Sequence, residues 1–393
     1  MEKKEGIYSK LGVSSKKEEV HQAIRGLDKG LFPDAFCKIV EDVNERDDYC
    51  SIFHTDGAGT KASLAYMYYK ETNDISSFKG IVRDAIVMNI DDVLCVGAIG
   101  KYFLSNNIGR NRRLISSDII STIINEYQAY SKLLSNLGLN VIFSGGETAD
   151  VGDIVNTLLV DASLFTNMKR SDVIDARNIK PGDVIIGLAS YGKASYEEEY
   201  NSGIGSNGLT LARHGVFSHD YVEKFPECYD RNIDEKLIFF GNFLLTDNIE
   251  DLNLTIGKAL LSPTRTYAPI LIEILKKFRH KIDGIIHNTG GGQTKVLNFG
   301  KQIRYIKNNL FRLPKIFEII QKSSETQWRE MYQVFNMGHR MEIYCDESNA
   351  TDIINISKRF NVDAKIIGYC EKSPLNRKNT VEIKSEYGSF EYS

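Results

Sequence analysis

The chain has 393 residues, 42% of them hydrophobic and 26% charged, enough to bury large cores and too many for one average domain. A formal net charge of -3 gives no general attraction to a polyanion, which argues against nucleic acid as the main partner. Met1 to Glu5 leads into a polar stretch without the apolar core of a signal peptide, no run is long enough to span a bilayer, and six scattered cysteines form no CxxC pair; a cytoplasmic protein without membrane partner, disulfides or zinc is expected.

Ser51 to Thr55 reads as a short strand ending at Asp56-Gly57-Ala58-Gly59-Thr60-Lys61, and Thr60 to Tyr69 reads as the next helix. The hexapeptide places a carboxylate, two glycines, a hydroxyl and an ammonium at a strand-to-helix join. Backbone amides there suit phosphate oxygens, Lys61 adds charge, and Asp56 suits Mg2+. The spacing is not that of a P-loop, and taken alone the segment is equally an ordinary tight turn. A second helix over Asp84 to Val96 carries Asp91-Asp92, which suit a cation held between them or, standing alone, a solvated acidic face. The third helix follows Ser116 and Ser117, lines one face with Ile119, Ile123, Tyr127, Tyr130 and Leu134, and ends at Gly138.

Val141 to Ser144 reads as a strand running into a second glycine turn, Gly145-Gly146-Glu147-Thr148, where a ligand can approach the backbone. Ile154 to Phe165 is a longer strand. The polar stretch from Asn167 to Lys180 marks a boundary, dividing 1–170 from 171–393, before Val184 to Ala189 resumes as a strand. Gly203 to Gly208 matches GxGxxG letter for letter, yet Tyr196 to Tyr200 before it is charged and no strand with an acidic end follows at the right distance. Ser206 and Asn207 read instead as caps of a helix beginning at Leu209, whose N-terminus suits an anion.

Asp220 to Asp251 reads as an irregular insertion. Thr264 and Arg265 offer a hydroxyl and a guanidinium before a helix at Tyr267 to Lys277. A strand at Ile285 to His287 then leads into a third loop, Thr289-Gly290-Gly291-Gly292, with His287 open to a structural or a catalytic reading. Strand Met341 to Cys345, helix Thr351 to Arg359 and strand Ala364 to Tyr369 close the chain as a β-α-β arrangement. The class is α+β, in two domains.

In their order and spacing these segments, together with Glu330-Met331-Tyr332 and Phe335-Asn336-Met337-Gly338, resemble the phosphoribosylformylglycinamidine cyclo-ligase (aminoimidazole ribonucleotide synthetase) family over nearly the whole chain. The resemblance implies an N-terminal α/β domain that pairs in a homodimer, a C-terminal α/β sandwich domain, and an ATP site between them. It implies ATP-dependent ring closure of formylglycinamidine ribonucleotide. The formamide oxygen takes the γ-phosphoryl group, and a substrate nitrogen then attacks the activated carbon and expels phosphate.

The same resemblance implies catalytic roles for Asp56, Lys61 and Asp92, with Mg2+ on Asp56, Asp92 and Glu147. ATP would meet Asp56, Gly57, Gly59, Thr60, Lys61, Asp91, Gly145, Gly146, Glu147 and Thr148. Ser206, Asn207, Thr264, Arg265, Thr289, Gly290 and Gly291 would meet the substrate's ribose phosphate or ATP. The chain departs from the family pattern at Asp91, where asparagine is usual, and at Phe78 and Gly205, where histidine is common. Two other readings stand beside this one: a related ATP-dependent enzyme such as selenophosphate synthetase, and a catalytically silent ATP-binding partner in the purine pathway.

Overall fold

The computed structural model describes residues 6–14, 18–250, 252–374 and 378–393, so the polar start at Met1 to Glu5 lies outside the described residues. The first half contains α1 (Ile7–Lys10), α2 (Glu18–Ala23), β1 (Val40–Glu41), β2 (Tyr49–Gly57), α3 (Lys61–Thr72), α4 (Ser77–Cys95), β3 (Lys101–Arg110), α5 (Ser117–Asn136), β4 (Asn140–Asp150) and β5 (Leu158–Lys169). Its sheet runs β1-β2-β5-β3-β4, antiparallel except for the β3–β4 pair.

Local chemistry accounts for most of these elements. In α5 the Ser116 side chain accepts from the Ile119 amide, and Ile119, Ile123, Tyr127, Tyr130 and Leu134 are buried at helical spacing. In β5, Leu158, Val160, Ala162, Leu164, Thr166 and Met168 are buried while the residues between them are partly exposed, the alternation of a sheet covered on one face. On the open face, Phe53, Phe165, Phe103 and Ile142 stand opposite one another across four strands. Phe53, Phe103 and Ile142 are 67%, 42% and 37% exposed.

Gly145-Gly146 is not a turn. β4 continues through it to Asp150, and the pairing with β3 shifts register between Leu104 and Asn106. Gly145 adopts φ +85°, and a Cβ on Gly146 would lie 2.1 Å from the Asn106 carbonyl oxygen. The glycines thus form an irregularity inside a strand, and side-chain period alone cannot separate that from a turn.

The second half contains β6 (Val184–Ala189), α6 (Leu209–Val216), α7 (Tyr221–Lys224), β7 (Asn248–Ile249), β8 (Leu254–Thr255), α8 (Ile256–Leu261), α9 (Ala268–Phe278), β9 (Ile282–His287), β10 (Ile303–Lys307), α10 (Lys315–Ser324), α11 (Trp328–Val334), β11 (His339–Cys345), α12 (Ala350–Arg359), β12 (Ala364–Lys372), β13 (Thr380–Ser385) and β14 (Gly388–Tyr392). Its sheet runs β14-β13-β10-β12-β6-β11-β9. β11 and β12 both pair antiparallel with β6, so α12 joins two parallel strands across it, a split β-α-β unit. Every residue of β6 is buried, as expected of a strand covered on both faces. Among the described residues no helix is long and apolar enough to cross a membrane.

Candidate active site

α4 is the centre of the molecule: it packs on β2, β5 and α5 of the first half and on α8, α9 and β9 of the second. Burial on all sides forces its polar residues to find partners. Asp84 and Asp91 lie two turns apart on one face, and both meet the second half. Asp84 Oδ1 accepts from the Thr264 amide at 2.7 Å and its hydroxyl at 2.5 Å, and Asp91 accepts from Thr266 Oγ1 at 2.8 Å and the Tyr267 amide at 2.9 Å.

Four sequence expectations change at this seam. Lys61 is fully buried and donates to Asp84 Oδ1 (3.1 Å), the Gly205 carbonyl (3.1 Å) and the Ser262 carbonyl (2.6 Å), so its ammonium ties the two halves and keeps no donor for phosphate. All five donors of Arg265 are likewise occupied, by Glu197 and by the Ala189, Tyr191 and Gly192 carbonyls. Thr264 is held on Asp84. Asp91 and Asp92 do not share a cation, because adjacent helical residues point about 100° apart. The Asp91 carboxyl is pushed up to about 7 by burial, against its two hydrogen bonds.

Asp92 points the other way. Its Oδ1 accepts from His287 Nδ1 at 2.6 Å, and its Oδ2 faces His54 Nε2 at 3.5 Å. Arg340 Nε donates to His287 Nε2 at 3.1 Å, so the imidazole proton sits on Nδ1 and His287 is neutral. Burial lowers the His287 pKa to about 4, in the same direction. His54 Nδ1 meets Asn89 Oδ1 at 2.9 Å, and the Asn89 amide donates to the Asp56, Ala85 and Ala162 carbonyls. Burial opposes charge on His54, but hydrogen bonding to Asp92 raises its pKa. Burial alone would raise Asp92 as well; His287, His54 and the Lys295 charge hold its carboxyl far below the usual range. Asp56 is raised by burial and then by the Asp92 charge, so these two carboxylates do share one region.

Two loops from the second half close on the same region. Thr60 Oγ1 lies 3.1 Å from Thr210 Oγ1 at the start of α6, and Asn207 Nδ2 stands 4.0 Å from the Cβ position of exposed Gly290. α6 is capped by Gly208 at φ +78°, without a side-chain bond, so Ser206 and Asn207 are not its caps; of this half-buried pair Asn207 approaches the glycine loop. Asn336 holds this segment, donating to the Gly203 and Ile204 carbonyls at 2.8 and 3.2 Å and accepting from Ser190 at 2.8 Å. Glu330 accepts from the Ile7 and Tyr8 amides. In this chain the Glu330 to Gly338 block is scaffold.

Glu147 is not brought to Asp56. Gly57, Asp161, Asn107 and Glu147 stand in one row across β2, β5, β3 and β4, and three interstrand steps amount to about 14 Å. Thr148 follows it on that edge strand. The carboxylate beside the signature is Asp161, whose Oδ1 lies 1.7 Å from where a Cβ on Gly57 would be. Among the described residues no group of three or more His, Cys, Asp or Glu side chains is arranged to hold a metal ion.

His54, Asp161, Lys295 and Arg340 escaped the sequence reading. The one available signal was the position of Lys295, just after the glycine loop.

Behind that loop lies a second charged cluster. Glu342 Oε1 accepts from Asn288 Nδ2 (2.7 Å), Lys307 Nζ (2.5 Å) and His339 Nε2 (2.9 Å), while its other oxygen accepts from Tyr344. Lys307 also donates to the carbonyl and side-chain oxygens of Gln293 at 2.7 and 3.1 Å.

A buried helix shared by two mixed layers, with its carboxylates bonded to Thr264, Thr266, Tyr267 and His287 of the other half, defines the class as a two-domain α/β enzyme. More particularly, the chain belongs to the AIR synthase related protein family, whose N-terminal domain matches residues 35–165 and whose C-terminal domain matches residues 180–377. It is 29% identical over 347 residues to the phosphoribosylformylglycinamidine cyclo-ligase of Methanococcus vannielii, covering 87% of this chain and 82% of the relative. To that of Caldicellulosiruptor saccharolyticus it is 30% identical over 333 residues, 84% of each chain. T. maritima PurL, solved with FGAR and with ADP, shares the fold with TM-scores of 0.54 and 0.52 at 14% and 15% identity. These alignments cover 96% and 98% of this chain, which spans about half of PurL, 49% in each case.

Proposed function

We propose that this chain is a cytoplasmic, ATP-dependent cyclo-ligase that closes formylglycinamidine ribonucleotide to aminoimidazole ribonucleotide. Residues 1–170 would form the ATP-binding and pairing unit and 171–393 the second domain. The observation that carries this reading is the seam itself, where Asp92 meets His287 just before the 289–292 loop and Thr60, in the Asp56 signature, meets Thr210, in a chain similar over most of its length to named cyclo-ligases.

The residues fit Mg2+ through Asp56 and Asp92. Their mutual repulsion favours a cation, and Mg2+ commonly takes one or two carboxylates with substrate phosphates completing its shell. The metal would supply charge neutralisation at the phosphates. His287 and His54 orient Asp92, Asn89 fixes β2 against α4, and the exposed Gly290 backbone lies open to a phosphate or ribose oxygen. The γ-phosphoryl group moves from ADP oxygen to the formamide oxygen. A substrate nitrogen then bonds the formamide carbon as the C–O bond breaks and its electrons leave with phosphate. The protein positions, shields from water and balances charge.

The silent-partner reading loses its main support, because Asp91 faces Thr266 and Tyr267 instead of Asp56. A selenophosphate-type nucleophile has no support at Cys37, whose buried thiol donates to the Asp92 carbonyl and is raised by burial. The exposed Phe53, Phe103 and Ile142 row supplies the surface for a homodimer.

Purified protein with Mg-ATP and formylglycinamidine ribonucleotide is expected to yield ADP, phosphate and aminoimidazole ribonucleotide. ATP binding without product would sink the reading. Sedimentation of the same preparation should give twice the 44.4 kDa chain mass.

A further inference from the structure

With Lys61 committed to the seam, Lys295 stands beside His54 as a positive charge acting on Asp56 and Asp92. This residue lies in the 3-10 segment Gly292–Asn298 that follows the glycine loop, and it is half-buried. Its ammonium donates to the Thr289 hydroxyl and rests 4.6 Å from the centre of the Phe36 ring, itself stacked on Phe299 at 5.3 Å. Its charge acts on Asp56, Asp92 and His287, yet among the described residues no ion pair holds it.

That combination differs from Lys61 and Arg265 at the seam, while Arg340 bonds His287 and the Arg265 carbonyl and leaves one buried nitrogen without a partner. Lys61, Arg265 and Lys307 are closed by protein acceptors. Lys295 keeps one neutral tether to Thr289, inside the loop that meets Asn207 at Gly290. Exchanging a hydroxyl for a phosphoryl oxygen replaces a hydrogen bond to a neutral acceptor by one between opposite charges. The cation–π contact holds the ammonium against the Phe36 ring without neutralising its charge.

We propose that Lys295 is a catalytic residue that binds the γ-phosphoryl group of ATP and follows it onto the formamide oxygen. This rests on the cyclo-ligase reading. The group sits between a cation held by Asp56 and Asp92 on one side and the Lys295 ammonium on the other. As the bond to ADP oxygen breaks and the bond to formamide oxygen forms, charge on the three remaining phosphoryl oxygens stays within reach of Nζ.

The test compares full-length wild type with Lys295→Met and Lys295→Gln, measuring calorimetric affinity for Mg-AMPPNP and Mg-ADP, turnover, and melting. Both variants should melt like wild type and bind Mg-AMPPNP about 10- to 100-fold more weakly, while Mg-ADP binding changes less than about twofold. Turnover should fall by at least the AMPPNP factor, and Lys295→Arg should recover part of the binding. Equal weakening for both nucleotides, or no weakening for either, overturns the proposal. Wild type that binds neither nucleotide removes the cyclo-ligase reading itself. If Lys295→Met fails to fold, Lys295→Gln, which can still reach Thr289, decides by the same split.

Discussion

The two charged clusters on either side of the Thr289–Gly292 loop are built from similar residues, and they differ in whether their charges are closed. Behind the loop, Glu342, Lys307, His339, Tyr344, Asn288 and Gln293 bond one another and pair every charge, leaving the Asn288 side-chain oxygen without a partner, with Glu342 and Lys307 entirely buried. Burial alone would raise Glu342, yet the Lys307 charge and His339 hold its carboxyl well below the usual range. In front of the loop, burial and the Asp92 charge raise the cost of ionising Asp56, and among the described residues Lys295 has no carboxylate of its own. A balanced buried network holds a loop in place. An unbalanced one at a seam is where an added anion or cation gains most.

The largest expected effect breaks the closed cluster. Lys307→Met leaves Glu342 buried without its counter-charge and should cost about 3–5 kcal/mol of unfolding free energy, read from the denaturant midpoint. A loss below about 1 kcal/mol would mean that the network is not the scaffold described. Next comes the open cluster. Asp56→Asn should cut Mg-ATP turnover by about 100-fold or more while melting stays near wild type, because the amide oxygen can still accept from the Gly57 amide but the charge is lost. Near-wild-type turnover would remove Asp56 from the site.

The smallest effect concerns Asp91, which lies outside both clusters. Its folded pKa of about 7 is above its ordinary 3.8, so between those values the folded state holds more protons than the unfolded one. Stability therefore falls as pH rises through that window. Asp91→Asn should remove the slope and melt a few degrees higher than wild type at pH 8. Parallel melting curves against pH for the two proteins would refute this assignment.

Much of the fold was legible in the chain. The Ser116 cap, the apolar stripe of α5, the strand at Val184–Ala189 and the order of glycine-bearing segments follow from periodicity and residue chemistry, which act over a few neighbours. The site was legible only in outline. The packing brings Asp92 to His287, just ahead of the Thr289 loop, and leaves Asp56 under the influence of the Asp92 charge. Glu147 stands three strands away, and Thr264 and Arg265 serve the seam.

Spacing could not distinguish Lys61 from Lys295, since both follow glycine-rich segments and both carry the same charge. The difference lies in residues far away in sequence. Asp84, Gly205 and Ser262 take every donor of Lys61, whereas among the described residues the Lys295 ammonium meets a hydroxyl and an aromatic ring. The sequence by itself determined which groups are present, which share a helix face and which family they belong to. Only the packing of two halves around α4 decided which charges are neutralised by the protein and which remain for a ligand, because that depends on acceptors brought together from distant parts of the chain.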